Sequence, residues 1–165
     1  MGRAAGASGQ GDPPAGGDGT VDGVVAVVVV DHGSRRAESN EAFEAFVRSS
    51  SDRLPYPIVE VAHMELAEPT VGTAFDRCVA AGASVVAVAP WFLGPGRHWD
   101  RDLPDLTAEA ARRHPGVRWL VAAPLGPDPV LVDLVDRRVA RCLAHAAGRA
   151  GACDACAGSD RCVLR

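Results

Sequence analysis

Valine-rich apolar runs alternate with amphipathic stretches along most of the chain. The first run, residues 24–30, holds six valines and one alanine. It is too short to cross a membrane and too β-branched to favour a helix, so it predicts a central parallel strand covered on both faces. Residues 37–53 follow as a helix with Ala42, Phe43, Phe46 and Val47 on one side, stopped by Pro-Tyr-Pro at 55–57. A second short strand is predicted over 58–62, then a helix over 70–82 with Val71, Phe75, Cys78 and Val79 as its stripe and Gly82 as its end. Residues 84–89 give a third strand, 106–114 a third helix, 117–122 a fourth strand and 129–146 a last helix striped by Leu131, Leu134, Val135, Val139 and Cys142. Strictly alternating strands and helices imply a parallel sheet with right-handed crossovers, a flavodoxin-like three-layer α/β/α sandwich on a four-stranded sheet.

Length and composition narrow this further. The 165 residues suit one domain with tails, and no apolar stretch reaches the 18 or so residues of a membrane span. A net charge of -4 gives no reason to expect nucleic acid. All 17 basic residues are arginine, which fits a GC-rich coding sequence, so only local clusters of arginine bear on function. Residues 1–22 are Gly, Ala, Asp and Pro with little to bury and are expected to be a disordered lead-in. With one arginine and three aspartates they do not look like a plastid transit peptide. Residues 23–147 then form the main domain and 148–165 a Cys-rich tail.

The chemistry gathers where strands end. The first strand runs into Asp31-His32-Gly33-Ser34-Arg35-Arg36, the second into His63-Met64-Glu65-Leu66-Ala67-Glu68-Pro69, and the third into the long segment PWFLGPGRHWDRDLP. His32, Glu65 and His98 are spaced 33 residues apart, about one β-α repeat, so all three fall after successive strands at the same edge of a parallel sheet. Two imidazoles and a carboxylate suit Fe(II), Co(II), Ni(II) or Zn(II) with open coordination positions. Each residue alone has a plainer explanation, as a hydrogen-bonded surface histidine or a solvated loop acid, and His63 competes with Glu65 as the second ligand. Arg35, Arg36, Arg97 and Arg101 flank the edge and suit a polyanionic substrate through bidentate contacts. Trp91, Phe92 and Trp99 would supply a flat apolar wall, or simply pin the long segment to the domain.

DHGSRR, AHMELAEPT and PWFLGPGRHWDRDLP, three separated blocks in order, closely resemble the short class II chelatases of the CbiX/SirB type, above all their plant and algal members. The resemblance implies insertion of Fe(II) into sirohydrochlorin, a flat tetrapyrrole with eight carboxylates, giving sirohaem and two protons. It implies His32, Glu65 and His98 as the metal-handling residues, with Ser34, Arg35, Arg36, Arg97 and Trp99 beside the substrate. His32 and His98 would present the ion, and an imidazole or Glu65 would take protons. It also implies a homodimer and a chloroplast location.

Five cysteines, an odd number without a secretory signal, argue against a disulfide framework. Cys142, Cys153, Cys156 and Cys162 form C-x10-C-x2-C-x5-C, suited to a [2Fe-2S] or [4Fe-4S] cluster or structural zinc, whereas Cys78 is expected in the core. The resemblance to the plant members selects the [2Fe-2S] cluster. Two other functions fit the residues: a cobaltochelatase acting on a related tetrapyrrole, since the same ligands accept Co(II), and a carrier of iron or cluster without catalysis. A carrier would leave the arginine and aromatic surroundings of His98 without a purpose. Phosphoryl transfer at His32-Gly33-Ser34-Arg35 lacks a glycine-rich phosphate loop.

Overall fold

The computed structural model describes residues 21–151 together with 155, 159, 163 and 164; most of the expected disordered lead-in, residues 1–20, lies outside them. Four strands, β1 (Val25–Asp31), β2 (Ile58–His63), β3 (Val85–Pro90) and β4 (Arg118–Val121), form one parallel sheet in the order β2-β1-β3-β4. They alternate with α1 (Ala37–Ser50), α2 (Val71–Ala80), α3 (Leu103–Ala111) and α4 (Pro129–Ala146). This is the expected α/β architecture, wound outward from β1. Because β1 sits between β2 and β3, the carboxyl ends of these strands lie side by side: Asp31 is in register with His63, and Val30 with Pro90.

The two faces of the sheet are covered unequally. Ala26, Val28 and Val30 point to one side, where Phe75 and Cys78 of α2 and Leu103 and Ala110 of α3 complete a fully buried core. Val27, Val29 and Val61 point to the other, where Val47 and Phe43 of α1 meet them. Thr70 caps α2 by accepting from the Thr73 N–H at 3.2 Å, and Gly82 ends the segment at φ +98°.

Several boundaries depart from the sequence reading. Helix α1 stops at Ser50 and tightens into a 3-10 turn over Ser51–Arg53. Its expected stripe is only partly buried, since Ala42 and Phe46 are exposed. The third helix starts at Leu103 rather than 106, preceded without a break by a π-helical turn, His98–Asp102. The largest departure is α4. It forms over the expected residues, yet none of them is buried, and Val132, Val135 and Val139 are exposed to solvent. The second face of the sheet therefore has α1 over its β2 side, while Leu120 of β4, in register with Ala87, remains exposed. Among the described residues no helix is long and apolar enough to cross a membrane.

Candidate active site

The turn after β1 is built by its own side chains. Asp31 Oδ1 accepts the Gly33 N–H at 2.9 Å, curling the chain back, and Gly33 takes φ +80°. Glycine is required there twice over, because a Cβ would lie 1.9 Å from the Glu65 carbonyl oxygen. Beyond the turn, Asn40 grips Ser34 from both sides. Its Oδ1 accepts the Ser34 N–H at 2.9 Å and its Nδ2 donates to the Ser34 carbonyl at 2.9 Å. Ser34 Oγ in turn accepts the Arg36 N–H at 3.1 Å. Ser34 thus serves the shape of the loop, and it sets Arg35 and Arg36, both exposed, at the start of α1.

His32 is held open to solvent by this loop. Its ring stacks on buried Phe92, with centroids 4.1 Å apart and planes 24° apart, and meets the His98 ring edge-on at 5.1 Å and 78°. Together with Leu93, Gly94, Pro95, Gly96 and Trp99, these three rings line an open cavity of about 250 Å³. The structure thus brings His32 and His98 together from segments 66 residues apart.

His98 owes its orientation to the π-helical turn. That turn sets Asp102 opposite it, with Asp102 Oδ2 2.9 Å from His98 Nδ1, which favours the proton on Nδ1 and leaves Nε2 able to ligate a metal. The same carboxylate lies 3.5 Å from Arg97 Nε, and Arg101 is 3.8 Å from Asp105. Trp99 donates its indole N–H to the Ala122 carbonyl at 2.8 Å, tying the segment to the end of β4 while its ring lines the cavity. Trp91 faces elsewhere. It packs at a tilt of 58° against Phe46, centroids 5.1 Å apart, on the α1 side of the sheet, because adjacent residues leaving a strand point to opposite faces.

Glu65 is exposed on the neighbouring loop, its N–H donated to the His32 carbonyl at 3.2 Å. Among the described residues no three His, Cys, Asp or Glu side chains are grouped closely enough to hold a metal ion. The ring pair and the loop bearing Glu65 thus adjoin without forming a closed ligand cage. His63, the alternative ligand, is fully buried with Nδ1 2.6 Å from Asp31 Oδ1 and turned away from the cavity lining. On its far side stands Glu44, whose carboxyl is held below its usual range by the Arg48 guanidinium, against the opposing effect of burial, with His63 adding to the lowering.

Of the cysteines, Cys78 is buried in α2 as expected, its thiol pushed up to about 12 by burial and by nearby Glu60. Cys142 is half-buried near the end of α4, while Cys153, Cys156 and Cys162 lie outside the described residues. Sequence reasoning passed over Phe92 as a platform for His32, Asn40 as the loop clamp and Asp102 as the partner of His98. The signal for Asp102 was its four-residue offset from His98, hidden by reading the segment as a loop.

The CbiX family model matches residues 26–142. The chain is 51% identical over 148 residues to the chloroplastic sirohydrochlorin ferrochelatase of Arabidopsis thaliana, covering 90% of this chain and 64% of that protein. It is 35% identical over 119 residues to the sirohydrochlorin ferrochelatase of Priestia megaterium, covering 72% of this chain and 45% of the relative. Both relatives are thus spanned over less than two thirds of their length. Among solved structures, the sirohydrochlorin chelatase SirB from Bacillus subtilis subspecies spizizenii in complex with cobalt matches with a TM-score of 0.67 and 34% identity, over 71% of this chain and 50% of that one. The family match runs from the buried residues of β1 through both histidines of the cavity to Cys142, and on that span the chain belongs to the CbiX family.

Proposed function

We propose that the chain is a chelatase that inserts Fe(II) into sirohydrochlorin, forming sirohaem and releasing the two pyrrole N–H protons. The observation that carries this reading is the pair of solvent-open imidazoles, His32 and His98, meeting in a cavity at the carboxyl edge of the sheet. Its volume of about 250 Å³ suits a hydrated ion better than a tetrapyrrole, so the macrocycle would lie over the mouth, against exposed Leu93 and half-buried Trp99. His32 and His98 hold the ion with waters completing its shell, and an incomplete ligand set lets the ion leave for the ring. Ser34, Arg35, Arg36 and Arg97, on the segments that carry His32 and His98, would meet the carboxylates, and Glu65 or an imidazole would receive the displaced protons. The names of the Arabidopsis and Priestia relatives support the substrate and the metal.

Cobalt is the second metal to consider, since the Bacillus structure carries it and imidazole ligands take both ions. The test is an anaerobic assay of sirohydrochlorin with Fe(II) and Co(II) supplied separately and followed by absorbance. Product with Fe(II), lost in a folded His32→Ala variant, is the expected result; insertion at the parent rate by His32→Ala would remove that residue from the reaction.

Three further assignments belong to this reading. The chloroplastic Arabidopsis relative supports a chloroplast location. A homodimer would cover the apolar stripe of α4: an 18-residue helix with four valines and no buried residue is not expected to persist on its own. Sedimentation should give a dimer, and Val135→Arg should shift it toward monomer. Residues 148–165 would form a tail holding a [2Fe-2S] cluster on Cys153, Cys156 and Cys162 together with Cys142 from the end of the catalytic unit at 23–147, supported by four thiols in 21 residues. Colourless anaerobic protein with stoichiometric zinc and no acid-labile sulfide would overturn the cluster.

A further inference from the structure

His63 is fully buried, yet its Nε2 makes no hydrogen bond, standing 3.6 Å from Glu44 Oε1. A buried ring nitrogen at that distance, beside Phe43, gives the fold little in return for its lost hydration. The other nitrogen explains its presence. Nδ1 meets Asp31 Oδ1 at 2.6 Å, and that same oxygen accepts the Gly33 N–H at 2.9 Å. One carboxylate oxygen therefore joins the end of β2 to the turn after β1. Two backbone bonds continue the seam outward, from the Met64 N–H to the Asp31 carbonyl at 2.8 Å and from the Glu65 N–H to the His32 carbonyl at 3.2 Å. His32 and Glu65 are the outermost rung. Whatever holds the inner rungs sets where these two side chains leave the backbone.

Resting on the chelatase reading above, we propose that Asp31 and His63 are positioning residues for metal delivery: the His63 Nδ1–Asp31 contact locks the β1 and β2 loops together and so fixes His32 and Glu65 toward one ion. Neither residue needs to touch the metal or the tetrapyrrole. Their effect should fall on the metal and leave macrocycle binding alone, because the cavity wall of Leu93 to Gly96 and Trp99 belongs to a different segment, and Ser34, ahead of Arg35 and Arg36, is clamped by Asn40 of α1 instead of by the His63–Asp31 contact.

Two amides test this at one site. The amide nitrogen of His63→Asn falls where Nδ1 stands and still donates to Asp31, whereas that of His63→Gln falls where Nε2 stands and does not. A role in filling space alone would favour glutamine, the closer match in size; positioning through Asp31 favours asparagine. The readouts are the KM for Fe(II), the KM for sirohydrochlorin, and Co(II) affinity from its visible absorption in the absence of tetrapyrrole. His63→Gln should weaken Co(II) binding and raise the KM for Fe(II) by about 10- to 100-fold with the KM for sirohydrochlorin unchanged, while His63→Asn stays near the parent. Asp31→Glu, which displaces the carboxylate by one methylene, should reproduce the loss, and it decides the matter should His63→Gln not fold. Equal behaviour of the two amides, a rise in the KM for sirohydrochlorin instead, or metal parameters at parent values in Asp31→Glu would each overturn the positioning role. A parent protein that binds Co(II) but inserts no metal would instead overturn the chelatase reading, and the positioning role with it.

Discussion

Gly33→Ala is the substitution for which the structure gives the most definite expectation. The new Cβ would be placed 1.9 Å from the Glu65 carbonyl oxygen, about 1 Å inside the 3.0 Å that such contacts essentially never cross. The obstructing atom is backbone, so no rotamer change relieves it, and the β1 and β2 loops must separate by roughly that 1 Å. Alanine at φ +80° adds about 1–2 kcal/mol of left-handed strain. Loss of the Glu65 N–H bond to His32 removes about 1 kcal/mol more. Unfolding free energy should therefore fall by about 2–3 kcal/mol, a drop in Tm of roughly 5–10 °C for a chain of this size. Activity should suffer more, because a displacement of about 1 Å between reacting groups costs on the order of 100-fold. Gly82→Ala is the matched control: its φ is +98°, yet nothing lies within 4 Å of its Cβ, so it carries strain without a clash. The measurement pairs thermal melting with anaerobic iron insertion for both variants. If Gly33→Ala loses no more stability and no more activity than Gly82→Ala, the close approach of the two loops is not what organises the site.

Asp102→Asn should leave the fold intact and lower kcat/KM for metal insertion by about 10- to 100-fold, since an amide no longer holds the proton on His98 Nδ1; unchanged kinetics would remove Asp102 from the site. Trp99→Phe deletes the indole bond to Ala122 and should cost about 1 kcal/mol, read as a denaturant midpoint, together with slower turnover as the segment loosens. Cys78 gives a pH dependence. Its thiol is raised in the fold from an ordinary 9.0 to about 12, so the stability it contributes is complete below pH 9 and declines as the unfolded chain alone ionises between those values, by roughly 1.4 kcal/mol per pH unit. Urea unfolding at mildly and strongly alkaline pH should be steeper in its pH dependence for the parent than for Cys78→Ala; equal slopes would refute it.

The alternation of strands and helices, the parallel sheet and the common edge for His32, Glu65 and His98 were legible in the sequence, because each rests on local properties. Valine runs extend, helices carry one apolar stripe, and a repeat near 33 residues returns the chain to the same edge. Even the limits of the helix over 129–146 are legible there. What covers a stripe is not a local property: the same spacing of Leu131, Leu134, Val135, Val139 and Cys142 describes a helix on its own sheet or one left exposed, and only the tertiary structure chose the second. Likewise, Gly and Pro in residues 90–104 read as loop, whereas packing of Leu103 at full burial starts the helix early and its π-helical turn brings Asp102 onto His98. Trp91 and Phe92 are neighbours in the chain but lie on opposite faces of the sheet, so one supports His32 and the other cannot. His63 is the sharpest case, since composition makes it a ligand as good as Glu65. Its burial against Asp31 is decided by the register of β1 with β2, a relation between segments 32 residues apart that no spacing along one segment encodes.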